Sequence, residues 1–177
     1  MLKIFLFLTT LSITIATQAQ HEHGDSSSQI DNIAFNTIKQ LAGDWQGNFK
    51  WTGGHELKGK MNAKYYLTGN GSAVVEDLTT EGKPVMTSVY HLDGNDLRVT
   101  HFCGAGNQPR LKAGAYNNES KSVKFEFIDI TNLRSPDAPH VHGLELKFTD
   151  NNHITIIFTF STANGDRFEQ IDLARAV

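Results

Sequence analysis

The sequence predicts an all-β fold: an up-and-down antiparallel barrel of about ten strands, with one short N-terminal helix plugging its closed end. Three observations carry that expectation. From Gly43 onward, apolar residues recur with the period of two that half-buried strands require. Turn chemistry separates these runs at regular spacing, as in Gly69-Asn70-Gly71, Glu81-Gly82-Lys83-Pro84, Gly94-Asn95, Asn117-Asn118, Asn151-Asn152 and Asn164-Gly165. Only Ile30 to Leu41 repeats at helical spacing, so the chain has no βαβ rhythm. A meander of this length exposes two edges unless it closes, and closure removes them.

The chain begins with the pattern of an export signal, residues 1–19. Lys3 is its positive region, Ile4 to Ile15 its apolar core, and Thr17-Gln18-Ala19 its small-x-small cleavage site. The core is too short to span a bilayer comfortably, so no transmembrane segment is expected after cleavage. Residues 20–28 are polar and Ser-rich, a flexible tether, and 29–177 form one barrel domain. The helix opens on Ser28-Gln29-Ile30-Asp31, which has the spacing of a capping box. Its apolar face is Ile30, Ile33, Ala34, Ile38 and Leu41, and Gly43 ends it. Lys and Arg number 16 against 19 Asp and Glu, for a net charge of −3 without a basic cluster. That balance excludes nucleic acid as a partner. An exported chain can form disulfides, but Cys103 is the single cysteine, so stability comes from packing.

The strongest local signal is the hairpin around Gly94-Asn95. With those two as loop residues, Leu92 faces Leu97, Tyr90 faces Val99, Ser88 faces His101 and Met86 faces Cys103. That face is apolar near the turn and ends in a hydroxyl, an imidazole and a thiol. On later strands Val123, Phe125, Phe127 and Asp129 share one side, as do His140, His142, Leu144, Leu146 and Phe148. The apolar side must be the interior, since nothing else in the chain covers a second one. Turn parity puts the helix and the short turns at one end, and the long loops Gly104–Pro109 and Thr131–Pro139 at an open mouth.

Helix, then Leu41-Ala42-Gly43-Asp44-Trp45, then a meander resembles the lipocalin-like (calycin) superfamily. The resemblance implies an indole sealing the barrel base, with Arg175 of the last strand laid across it. Tyr90-His91-Leu92-Asp93-Gly94, Thr100-His101-Phe102-Cys103, Gly106-Asn107-Gln108-Pro109-Arg110 and Thr131-Asn132-Leu133-Arg134-Ser135-Pro136 are similar to a family of exported bacterial proteins of unknown function.

The expected function is binding of a small hydrophobic or amphipathic molecule in the barrel, in the periplasm or outside the cell. Ser88, Tyr90, His101, Cys103, Asp129 and His142 are its expected interior polar contacts. Arg110 and Arg134 belong to the mouth loops, where they either recognise an anionic head group or hold the loops to carbonyls. Two alternatives stand beside binding. Inward His101, His140 and His142 would suit haem or a transition metal. Cys103, a base at His101 or His142, and an orienting Asp129 would suit an enzyme. The residues by themselves name no cofactor.

Overall fold

The computed structural model describes residues 32–176. The expected leader, the tether and the capping-box residues Ser28 to Asp31 lie outside the described residues. The helix α1 (Ile33–Lys39) is capped instead by Asn32, whose side-chain oxygen accepts from the Phe35 amide at 3.0 Å. Its buried stripe is Ala34, Phe35 and Ile38, while Ile33 is 55% exposed. Phe35 therefore takes the place expected for Ile33. In two turns the docking of one large ring decides the inner face, and the spacing of small aliphatics does not.

Ten strands follow, matching the sequence in number and order: β1 (Gly43–Thr52), β2 (Leu57–Thr68), β3 (Ala73–Thr80), β4 (Lys83–Asp93), β5 (Asp96–Phe102), β6 (Gln108–Ala113), β7 (Ser122–Thr131), β8 (His140–Asp150), β9 (His153–Ser161) and β10 (Arg167–Arg175). Each is antiparallel to its neighbours, and β1 pairs with β10 to close the ring. At that seam β1 carries Gly47, where a Cβ would overlap the carbonyl oxygen of Asp172, so only glycine lets the two backbones approach. The β4–β5 hairpin has the expected register, with Leu92 opposite Leu97, Tyr90 opposite Val99 and Ser88 opposite His101. Gly94 supplies the positive φ of 59° at the first loop position. Cys103 falls just beyond β5, so its expected pairing with Met86 does not form.

Three bulges break the alternation toward the mouth. One extra residue, Val85, lies opposite the step from Leu78 to Thr79. Ile128 is extra opposite the step from Arg110 to Leu111, and His142 is extra between Val141 and Gly143. Each bulge reverses which side chains face inward beyond it. The closed-end turns are short except one. β6 stops at Ala113, and 114–121 form a longer link in which Asn117 Oδ1 accepts from the amides of Glu119 and Ser120.

The closed end is sealed as the family resemblance implies. Trp45 is buried and its indole N–H donates to the Leu41 carbonyl at 2.7 Å. The Arg175 guanidinium lies 4.4 Å over that ring and donates to the carbonyls of Ala42 and Gln40 at 2.9 and 2.8 Å. One planar fork thus joins the last strand to the end of the helix, which a lysine could not do. Arg175→Lys is expected to lower stability by about 2 kcal/mol in urea unfolding. A change within experimental error would show that the fork does not hold the closed end.

Candidate functional site

The barrel interior has two storeys. In the lower one, a row of polar side chains crosses four neighbouring strands among apolar residues. Tyr65 is opposite Glu76, Glu76 opposite Ser88, and Ser88 opposite His101, so all four share the inner face. Glu76 is fully buried. It accepts from the hydroxyls of Tyr65 at 2.7 Å, Tyr90 at 3.0 Å and Ser88 at 3.2 Å. Burial pushes its carboxyl up, and the three hydroxyl donors pull it back. Burial, then the Glu76 charge, holds both tyrosines well above the ordinary phenol range. His101 Nδ1 lies 3.0 Å from Ser88 Oγ. With the Ser88 proton given to Glu76, Nδ1 is assigned the hydrogen and donates to Oγ, leaving Nε2 as the bare nitrogen. Nε2 has no partner, and the ring packs on Phe158 at 4.8 Å. Burial lowers His101 to about 4, so it is neutral at physiological pH.

The upper storey is hollow. A cavity of about 380 Å³ opens at the mouth, walled by Phe49, Trp51, Leu57, Met61, Met86 and Phe160, with Cys103, Arg167 and Glu169 as its ionisable lining. The Val85 bulge puts two consecutive side chains, Val85 and Met86, on this wall. Trp51 packs on Phe160 with centroids 4.6 Å apart. Arg167 lies 5.0 Å over the Trp51 ring, a second Arg–Trp pair at the end opposite Trp45 and Arg175. Burial raises Glu169 to about 7, with the Trp51 indole opposing the shift. The Cys103 thiol is pushed up by burial and then by the Glu169 charge, and it accepts from the Ala105 amide at 3.4 Å. A thiol held up in this way is protonated at neutral pH and poorly nucleophilic.

The expected site residues divide accordingly. Ser88, Tyr90 and His101 are inside, beneath the cavity floor, and Cys103 lines the cavity. Asp129 does not point inward. Beyond the Ile128 bulge it pairs with Arg110, and both are half-exposed, joined by two hydrogen bonds of 2.5 and 2.6 Å. Each partner favours the other's charged form. His142 is likewise exposed. As the extra residue of its bulge it leaves the inward position to Val141 and stacks on Phe127 at 4.9 Å. His140 is half-buried, and its Nδ1 sits 2.9 Å from the Ala138 carbonyl oxygen. Arg134 is exposed with its guanidinium beside Gly106. The His140 and His142 rings lie 5.9 Å apart against Phe127, but His101 is buried inside against Phe158, so the three do not converge. Among the described residues no three His, Cys, Asp or Glu side chains could hold a metal ion. Nor do Cys103, a histidine base and Asp129 meet.

Glu76, Trp51, Arg167 and Glu169 are functional candidates that sequence reasoning missed. The signal was present: Glu76 shares the phase of Val74 and Leu78, and Glu169 that of Ile171 and Leu173.

No protein-family model matches the chain, and a search of the curated proteins finds no match. Solved structures do resemble it. One is a protein of unknown function from the DUF3598 family of Nostoc punctiforme, with TM-score 0.54 and 11% identity over 78% of this chain. The match spans about half of that protein, 49% of its length. Another is Rv2717c from M. tuberculosis, with TM-score 0.56 and 14% identity over 81% of this chain and 98% of that one. At these identities the likeness concerns the fold: a closed ten-stranded antiparallel barrel, whose DUF3598 neighbour has no known function.

The two buried carboxyls lead to different expectations. Glu76→Ala leaves three buried hydroxyls without their acceptor and should cost about 3 kcal/mol or more in urea unfolding. A loss below about 1 kcal/mol would mean that water replaces the carboxylate. Glu169 rises on folding from 4.5 to about 7, so the folded state holds its proton more tightly, and this contribution to stability fades between those pH values. His101, lowered from 6.5 to about 4, acts in the opposite sense over much of the same range. Comparison of Glu169→Gln with the parent isolates the first effect. The variant should gain on the parent as pH rises from 4.5 to 8, by up to about 3 kcal/mol. A pH-independent difference would contradict a carboxyl raised by burial.

Proposed function

We propose that this chain is an exported, lipocalin-like binding protein that holds one small hydrophobic or amphipathic molecule in the mouth of its barrel. In this reading residues 1–19 are removed on export, 20–28 are a tether, and 29–177 are the working domain in the periplasm or beyond. The observation that carries it is the cavity: about 380 Å³, apolar on most sides, and open at the long-loop end. Its volume lies in the range of small-molecule sites, and its few polar groups are of the kind that orient a ligand. The aromatic pair of Trp51 and Phe160 supplies a rigid wall with little conformational entropy to lose. The lower storey contributes stiffness, because its hydrogen-bonded row ties β2, β3, β4 and β5 together beneath the floor.

Native mass spectrometry of the protein purified from its own exported pool tests this reading. A retained small molecule is expected on the parent chain. It should be absent from Met86→Trp, whose larger ring fills the cavity floor. Bare protein mass for both, under conditions that preserve a known barrel–ligand complex, would remove the binding role.

A further inference from the structure

One group in the mouth is unexplained by its apolar walls. Glu169 projects from β10 in the inward phase, is only 3% exposed, and its Oε2 has no hydrogen-bond partner. Native interiors seldom leave a buried carboxyl oxygen unpaired, and an exception calls for an explanation. The cation two residues away does not provide one. Arg167 donates through Nη2 to the His55 carbonyl at 3.0 Å and stacks on Trp51, and its Nε, also buried and without a partner, lies 3.1 Å from where a Cβ on Gly54 would sit. The guanidinium is thus held under the β1–β2 turn, and no ion pair joins it to Glu169 among the described residues. Cys103, the remaining ionisable group of the lining, already accepts from the Ala105 amide. The cavity lining therefore includes one buried carboxyl oxygen without a donor, beside Trp51, Phe160 and Met86.

We propose that the mouth cavity selects an apolar molecule bearing a hydrogen-bond donor head, an alcohol or a protonated amine, which Glu169 Oε2 accepts. This inference rests on the binding role proposed above. A donor head satisfies the orphaned oxygen and keeps its tail on the aromatic wall. Once Glu169 is ionised, a carboxylate head would bring a like charge against it, and a purely hydrocarbon ligand would leave Oε2 as unpaired as before.

Calorimetric titration of the full chain at pH 8.5, above the value of about 7 to which Glu169 is raised, with 1-octanol, octylammonium and octanoate tests the assignment, since the three share one tail and differ in the head. The parent should bind at least one of the two donor heads tenfold or more tighter than octanoate. Glu169→Leu should lose that preference while still binding the octyl chain. Glu169→Gln keeps the side-chain volume and an acceptor oxygen. It should retain 1-octanol and weaken octylammonium at least tenfold if the ammonium is the preferred head, and it serves as the readout if Glu169→Leu fails to fold. Equal or tighter binding of octanoate by the parent, or a head-group order unchanged in Glu169→Leu, overturns the role of Glu169 and leaves the cavity reading intact. Failure of all three probes to bind overturns the cavity reading itself.

Discussion

A closed ring of strands has a single inside, and the chain must fill that volume or leave it hollow. Pairing of β1 with β10 imposes this condition here, and the bare backbone of Gly47 permits the pairing. Below the level of Met61 the volume is filled: Trp45, Tyr65, Tyr90, Leu111, Leu146 and Phe158 are all fully buried. Above it the strands still meet, but the walls recede into a cavity. The barrel is a packed base carrying an empty cup. Its base derives rigidity from ring closure, from the Arg175 fork and from the row of hydrogen bonds centred on Glu76.

The two interior carboxyls show how one residue type serves opposite ends of this design. Glu76 has three donors, Tyr65 from β2 and Ser88 and Tyr90 from β4, and those bonds offset the cost of burying it. Its environment is complete. Glu169 is nearly as buried but has one oxygen without a donor, and the residue lines the cavity. A satisfied buried charge holds strands in register, whereas the unsatisfied one beside a void is the acceptor on which the proposed binding role relies. Placed in the packed base, Glu169 would be a defect.

Strand number, strand order, the β4–β5 register and the closed end were all legible in the sequence, because each depends on local rules. Period two fixes faces, Gly94-Asn95 fixes the loop, and turn parity sorts the ends. The misplacements of Asp129 and His142 share one cause. Bulges at Ile128 and His142 insert a single residue and invert the phase; no glycine or proline marks the first, and Gly143 directly follows the second. Val141 was the available hint: it is apolar yet out of phase with Leu144, and both are buried. Glu76 and Glu169 lay in the inward phase all along. Reading the interior as wherever apolar residues cluster left those two unassigned, and with them the polar centre of each storey. Ile33 shows the same limit on a helix, where a neighbouring Phe35 displaced it from the inner face.

The central claim is that the barrel is solid below and hollow above. Xenon-pressurised crystals test it most directly, because xenon enters dry apolar cavities and avoids packed interior. The account predicts xenon density in the mouth between Trp51, Met86 and Phe160, and none around Tyr65, Tyr90 and Phe158. Density in the base with none in the mouth would contradict the account.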